Sequence, residues 1–381
     1  IPTAGENETF LPFDEERYSL TRSDGSTEVL TSDKVQFVSG SGGKSLQIYN
    51  LGSNDTGATL TATLTKIKPK AKVKIRNRVQ SIIINKSKTD GSGIGATTLN
   101  NGLEFGNYPF GTRVEDSLIS LNTPDIITIH NIFESSDTQD PSAPKLTLSS
   151  ILSASTTTEE YIVGELLTGQ SSGAAAIVAE KLSSNQISIL YKNDSVFKEG
   201  ESILSSESQF TATITTLNSP SFDISNNYSF DNGQEATIYN YGAIEKKADA
   251  DTPTKKVIVY FASGSYDPTD TGDITTIESY DTFNYGKEIP NFDGMSNSDI
   301  IDIRPRVQDY SVAVNTRSPF EFLGRTFSTT SNSAANVLAS DESILTTFSY
   351  YQGRIDRIFI NKDSALQVKY GTPADKPDLP E

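Results

Sequence analysis

Lys66-Ile67-Lys68-Pro69-Lys70-Ala71-Lys72-Val73-Lys74-Ile75-Arg76-Asn77-Arg78 carries a cation at every even position and, Asn77 apart, an apolar residue at every odd one. Successive side chains of an extended chain point to opposite faces, so this period of two puts all seven cations on one face. A helix would scatter them around its circumference, and Pro69 would break it. The stretch therefore reads as a β-strand. Pro69, which cannot donate to a ladder, assigns it to a sheet edge.

The strands around it extend the same reading. Val35–Val38, Ser45–Tyr49, Ala58–Leu64 and Val79–Ile84 are rich in β-branched and aromatic residues, and Gly-, Asn- and Ser-rich turns separate them. A spacing of about ten residues is what sandwiches and barrels produce. Asp125–Glu134 reads as the last strand of a sandwich-like domain spanning 1–145, and Ser135–Pro144 as a linker.

The second unit, 146–219, contains a repeat. Gly164-Glu165-Leu166-Leu167 followed by Ser172-Gly173-Ala174-Ala175-Ala176-Ile177 returns 36 residues later as Gly200-Glu201-Ser202-Ile203 followed by Ser208-Gln209-Phe210-Thr211-Ala212-Thr213. Each copy spells strand, polar turn, strand. Two such hairpins joined by Gln186–Tyr191 are expected to close a small barrel.

The third unit, 220–381, holds Lys255–Ala262, a continuous apolar run that reads as a buried strand. After it comes a long acidic stretch, Ser263–Ser298, whose length suggests a functional loop or interface arm. Ser333–Leu338 suits one short helix, and Ile355–Asn361 with Leu366–Tyr370 a final hairpin. The expected architecture is all-β and multidomain: sandwich-like and small-barrel domains in series, with long loops and little helix.

Composition excludes several chemistries. The chain has no Cys and one His, His130, which removes disulfides, thiolate catalysis and Cys- or His-based metal sites. His130 alternates with the isoleucines of its strand and reads as a surface residue. Asp267, Asp270 and Asp273 recur every third residue, but lack the order of a recognised calcium loop. With no Trp, a sugar-cleaving site of paired carboxylates has weak support. Nothing in the sequence names a cofactor or a metal, and the reading is non-enzymatic. No apolar run reaches the roughly 20 residues that span a bilayer. The chain begins at Ile1 rather than Met and ends among prolines, which reads as a fragment or a processed product.

The formal charge is −17, divided as −2 over 1–145, −5 over 146–219 and −10 over 220–381. Against that background the cationic face of Lys66, Lys68, Lys70, Lys72, Lys74, Arg76 and Arg78 has three readings. Lysines protect an exposed sheet edge against stray pairing. An acidic protein surface, such as the third unit of another copy, also complements them. Nucleic acid fits less well, because no aromatic residues interleave to stack bases and the net charge opposes approach.

Three segments carry a resemblance. Ala58-Thr59-Leu60-Thr61-Ala62-Thr63-Leu64-Thr65-Lys66-Ile67-Lys68-Pro69-Lys70-Ala71-Lys72 resembles segments of large structural proteins of T4-like contractile-tailed bacteriophages, especially those of marine cyanobacteria. The Gly164–Val178 module is similar to a small β module recurrent in those virion proteins. Tyr350-Tyr351-Gln352-Gly353-Arg354-Ile355-Asp356-Arg357-Ile358-Phe359, with Asp299–Arg306 upstream, looks like a segment of a phage tail domain. The resemblance implies a structural role in a virion tail or baseplate, with other virion subunits as partners in a homo-oligomer or hetero-assembly, and it carries no catalytic residue. The alternative is a receptor- or polysaccharide-binding fibre module, since small β-domains in series also build adhesins.

Overall fold

A computed structural model describes residues 1–52, 57–90, 97–152, 161–267, 269–270, 272–327, 352–374 and 376–380. The expected helix at Ser333–Leu338, Tyr350, Tyr351 and the glycine-rich turn after Asp90 lie outside the described residues. The protein is nearly all β. Twenty-six strands are accompanied only by four short 3-10 turns among the described residues.

Two compact units are present, 1–337 and 338–381. Within the first, residues 1–66 form small antiparallel pieces around Phe10, Tyr18, Leu20, Leu30, Val35 and Leu46. A sandwich follows, and it corrects the expected division of the chain. One sheet runs Ser221–Asp223, Ile126–Ser135, Val257–Tyr266, Lys74–Ile84, in that spatial order, and so unites strands from the expected first and third domains. The other runs Leu118–Pro124, Tyr241–Lys246, Tyr228–Asp231. The barrel is an insertion between Ile126–Ser135 and Ser221–Asp223, rather than one bead on a string.

The Val257–Tyr266 strand shows why its sequence is continuously apolar. Val257, Val259 and Phe261 enter the sandwich core with Ile119, Leu121 and Ile132. On the opposite face, Ile258 and Tyr260 pack against Ile177, Ala179 and Leu190 of the barrel. With both faces covered, no polar alternation is tolerated. The expected linker is docked too: Ala143 is buried, and its N–H donates to the Tyr260 hydroxyl at 3.3 Å.

The barrel is closed by six strands, with Lys145–Leu152 joining the four repeat strands and Gln186–Tyr191. Leu146, Leu167, Val178, Ile187, Ile189, Ile203 and Ile214 fill it. Its two repeats cap one another. Glu165 accepts from the Ser208 N–H and hydroxyl at 2.9 Å each, and Glu201, its counterpart 36 positions on, accepts from the Ser172 N–H and the Ser171 hydroxyl at 3.0 Å. Each repeat thus supplies the carboxylate that closes the other repeat's serine turn.

The second unit contains the expected hairpin, Arg357–Ile360 paired with Leu366–Lys369. Ile358 faces Val368 and Ile360 faces Leu366, so four aliphatic side chains share one face. Exposure of 69 % at Ile358 and 74 % at Leu366 shows that this face is uncovered.

Candidate functional site

The basic run is not one strand. Leu64–Lys66 pairs with Glu8–Phe10, Lys68 takes a left-handed φ of 57°, and a second strand begins at Lys74. Pro69 explains the interruption: it has no N–H, and it restricts the residue before it. The second strand is a sheet edge, as the proline suggested for the whole run.

The orientation is the reverse of a solvated cationic face. Lys74 is buried, whereas Ile67, Val73 and Ile75 are 61 %, 54 % and 40 % exposed. The acidic arm after the central strand causes this, because it folds back over Lys66, Lys72, Lys74 and Arg76. Lys66 pairs with Glu8 at 3.0 Å and with Asp273. Asp273 also accepts from the Lys70 N–H at 2.9 Å, and Asp270 from the Val73 N–H at 2.6 Å. Arg76 pairs with Glu288, Arg78 with Glu207 of the barrel at 2.6 Å, and Lys70 weakly with exposed Glu6 at 3.6 Å. Lys72 lies half-buried, 5.4 Å from the Tyr266 ring centre. Lys68 is exposed and makes no ion pair among the described residues. The acidic counterpart expected in another copy is therefore largely in this one.

Gly272 permits the close approach of arm and run, since a Cβ there would stand 2.5 Å from the Ala71 carbonyl oxygen. Asp267, Asp270 and Asp273 do not converge on a cation. Two of them hold the backbone of the run, and Asp267 accepts from Thr269 at 2.7 Å.

Lys74 sits at the centre of this arrangement. Its Nζ donates to Asp125 Oδ2 at 2.7 Å and to the Tyr280 hydroxyl at 3.2 Å. The ammonium lies 4.3 Å from the Tyr239 ring centre and 4.9 Å from that of Tyr280, an aromatic cage that favours the charged form. Burial works against the charge, but Asp125 together with Tyr280 and Tyr266 more than offsets it, so the Lys74 pKa lies above its ordinary value. Burial also raises the Tyr266 hydroxyl to about 12, which keeps it neutral. Gly264 makes room for the pair, as a Cβ there would come within 2.5 Å of Asp125 Oδ2. Next to the cage, Tyr239 donates to Asp302, which also takes two donors from Arg304, at 2.7 and 3.0 Å. The Arg304 guanidinium stacks 4.5 Å from the Tyr239 ring centre. Together these groups pin the arm to the sandwich. Asp125 holds the charged lysine, and Asp302 holds Arg304 and the Tyr239 hydroxyl.

The sequence gives no direct sign of Asp125, Tyr280 and Asp302 as partners of the run, and it offers Tyr239, with Tyr228 and Tyr241, as an exposed groove aromatic, whereas all three tyrosines are buried. One indirect signal was available. Asp302-Ile303-Arg304-Pro305-Arg306 repeats the alternation of charged and apolar residues, and its even positions are buried, as Lys74 is in the basic run.

His130 is also not a plain surface residue. Its Nε2–H donates to the Arg78 carbonyl at 2.8 Å, which leaves Nδ1 to accept from Lys192 of the barrel, also at 2.8 Å. Burial, aided by the Lys192 charge, lowers the imidazole pKa to about 4, and burial brings Lys192 down to about 8.

A cleft of about 400 Å³ opens between the two sheets' edge strands. Gln80–Ile84 of one edge strand with Asn85 and Lys86 after it, Ser120, Asn122 and Thr123 of the other, and the segment Asp309–Val312 line it. Among the described residues no group of three or more His, Asp or Glu side chains is placed to hold a metal ion, and no helix is long and apolar enough to cross a membrane. No family model, no curated protein and no solved structure matches the chain.

Proposed function

We propose that this chain is a structural virion component of a contractile phage tail or baseplate, acting through protein–protein contacts rather than catalysis. The observation that carries the reading is the C-terminal hairpin. Two strands alone are marginally stable in water, and a stable sheet needs further strands or a packed partner over its apolar face. Ile358, Ile360, Leu366 and Val368 offer such a face uncovered. The resemblance of the three quoted segments to tail proteins supplies the setting, and the partners are other virion subunits or further copies of the chain.

This reading relocates the assembly contact. Most of the charge on Lys66–Arg78 is spent inside the chain, so the run serves to hold the acidic arm. Assembly then rests on the hairpin and on the outward residues Ile67, Val73 and Ile75. Quantitative mass spectrometry of purified particles tests the proposal. A fixed, stoichiometric copy number in tails supports it, and recovery of the chain only in the soluble fraction refutes it.

A further inference from the structure

We propose that Lys74 and Asp125 condense after folding to an intramolecular amide, a covalent cross-link that the chain makes by itself. Lys74 opens the edge strand Lys74–Ile84 of one sheet. Asp125 stands at the corner between Leu118–Pro124 of the other sheet and Ile126–Ser135 of the same one. Two side chains 51 positions apart in sequence thus meet in the interior, each only 1 % exposed.

The geometry suits the reaction. With Nζ at 2.7 Å from Oδ2, the amine lies about 3.5 Å from the carboxyl carbon, the reach of a near-attack arrangement. Asp125 takes a left-handed φ of 59°, and its own carbonyl accepts from the Gly264 N–H at 2.8 Å. Such a conformation at a residue other than glycine persists only where the surroundings hold it. The other carboxyl oxygen, Oδ1, accepts from the Gln234 side-chain amide at 3.5 Å. The Tyr280 hydroxyl stands 3.2 Å from Nζ on the amine's side.

The ammonium is held against loss of its proton to solvent, but the reaction needs a different transfer. One proton moves along the hydrogen bond from Nζ to Oδ2, which leaves the net charge of the pair unchanged. Two buried ions become an amine and a carboxylic acid, and burial, which penalises ions, favours that exchange. The Nζ lone pair then attacks the carboxyl carbon, and the negative charge that develops on Oδ1 meets the Gln234 amide. As the C–N bond settles, a second proton passes from Nζ to Oδ2 by way of the Tyr280 hydroxyl. The C–Oδ2 bond breaks and Oδ2 leaves as water. Amine and acid thus give amide and one water, with no oxidant, reductant or co-reactant. The rings of Tyr239, Tyr266 and Tyr280 around Nζ keep bulk water from reversing the step.

The edge strand has a ladder neighbour on one side only, Val257–Tyr266. A bond from its first residue to the corner between the sheets would restrain the unfolded chain as a disulfide does, in a protein that has no Cys.

Intact-mass spectrometry of the full chain, purified folded and then denatured in acid, reads the bond directly. The expected mass is one water below that of the sequence, and trypsin should release one branched peptide joining the Lys74 and Asp125 segments. Lys74→Arg and Asp125→Ala should each return the full sequence mass, since neither can form the amide. A wild-type chain at full mass would overturn the assignment. So would a lost water that persists in either variant or maps elsewhere, as a succinimide at Asp24-Gly25 or Asp90-Gly91 would.

Discussion

Lys74 Nζ stands 2.7 Å from Asp125 Oδ2, and each side chain is only 1 % exposed. Removing one member of a buried pair strands the other charge, at a cost of about 3–5 kcal/mol. Lys74→Met should therefore lose about that much in urea denaturation. Lys74→Met combined with Asp125→Leu should recover part of it, because no orphan charge remains. A Lys74→Met protein as stable as wild type would remove the pair from the account.

The His130–Lys192 contact makes a pH prediction. With a folded-state pKa of about 4 against an ordinary 6.5, the unfolded chain takes up a proton between these values that the folded chain refuses. Stability therefore falls as pH drops from 6.5 to 4, by up to about 3 kcal/mol, and the loss saturates below 4. His130→Gln keeps a donor for the Arg78 carbonyl but does not titrate. Denaturation free energies at pH 7 and 4.5 should differ by about 2–3 kcal/mol less in this variant than in wild type. Equal differences in the two proteins would contradict the assignment.

Clamping of the acidic arm onto the basic run is tested by Asp273→Asn. The substitution takes the charge from the group that meets both Lys66 and the Lys70 N–H. Hydrogen bonds to charged groups contribute about 1.5–3 kcal/mol, so amide exchange at Lys70 and Val73 should speed up roughly ten- to a hundredfold. Exchange in the barrel should not change. Unaltered protection at Lys70 would mean that the clamp lies elsewhere.

The barrel predicts additivity. Glu165→Ala and Glu201→Ala each leave several N–H donors of a serine turn without an acceptor, at about 3 kcal/mol apiece. The two caps share no donor. The double variant should therefore lose the sum within about 0.5 kcal/mol, as independent sites do. A strong coupling between them would show that the two turns do not act separately.

The elements were more legible than their arrangement. The strand at Lys255–Ala262, the duplicated hairpins and the terminal hairpin all follow from apolar runs and turn residues, which are local signals. Domain division was not legible, because the barrel insertion separates Ile126–Ser135 from its neighbour Val257–Tyr266 by more than a hundred residues. Alternation identified extended backbone at Lys66–Arg78, yet a period of two does not say which face is inside. Alternating cations point outward unless something charged and aromatic covers them. Here the cover comes from Asp273, Tyr280 and Glu288, about two hundred positions downstream, together with Asp125 and Tyr239. Only the matching alternation at Asp302–Arg306 hinted at it.

The central claim is that the cationic run serves the fold while the apolar hairpin serves assembly. Incorporation into tailed particles that lack the native chain separates the two most directly, with copy number read by mass spectrometry. The account predicts wild-type copy number for Lys68→Gln/Lys70→Gln at low and high salt, and near-complete loss for Ile358→Ser/Ile360→Ser/Leu366→Ser/Val368→Ser. Salt-sensitive loss in the lysine variant, with normal incorporation of the hairpin variant, would contradict it.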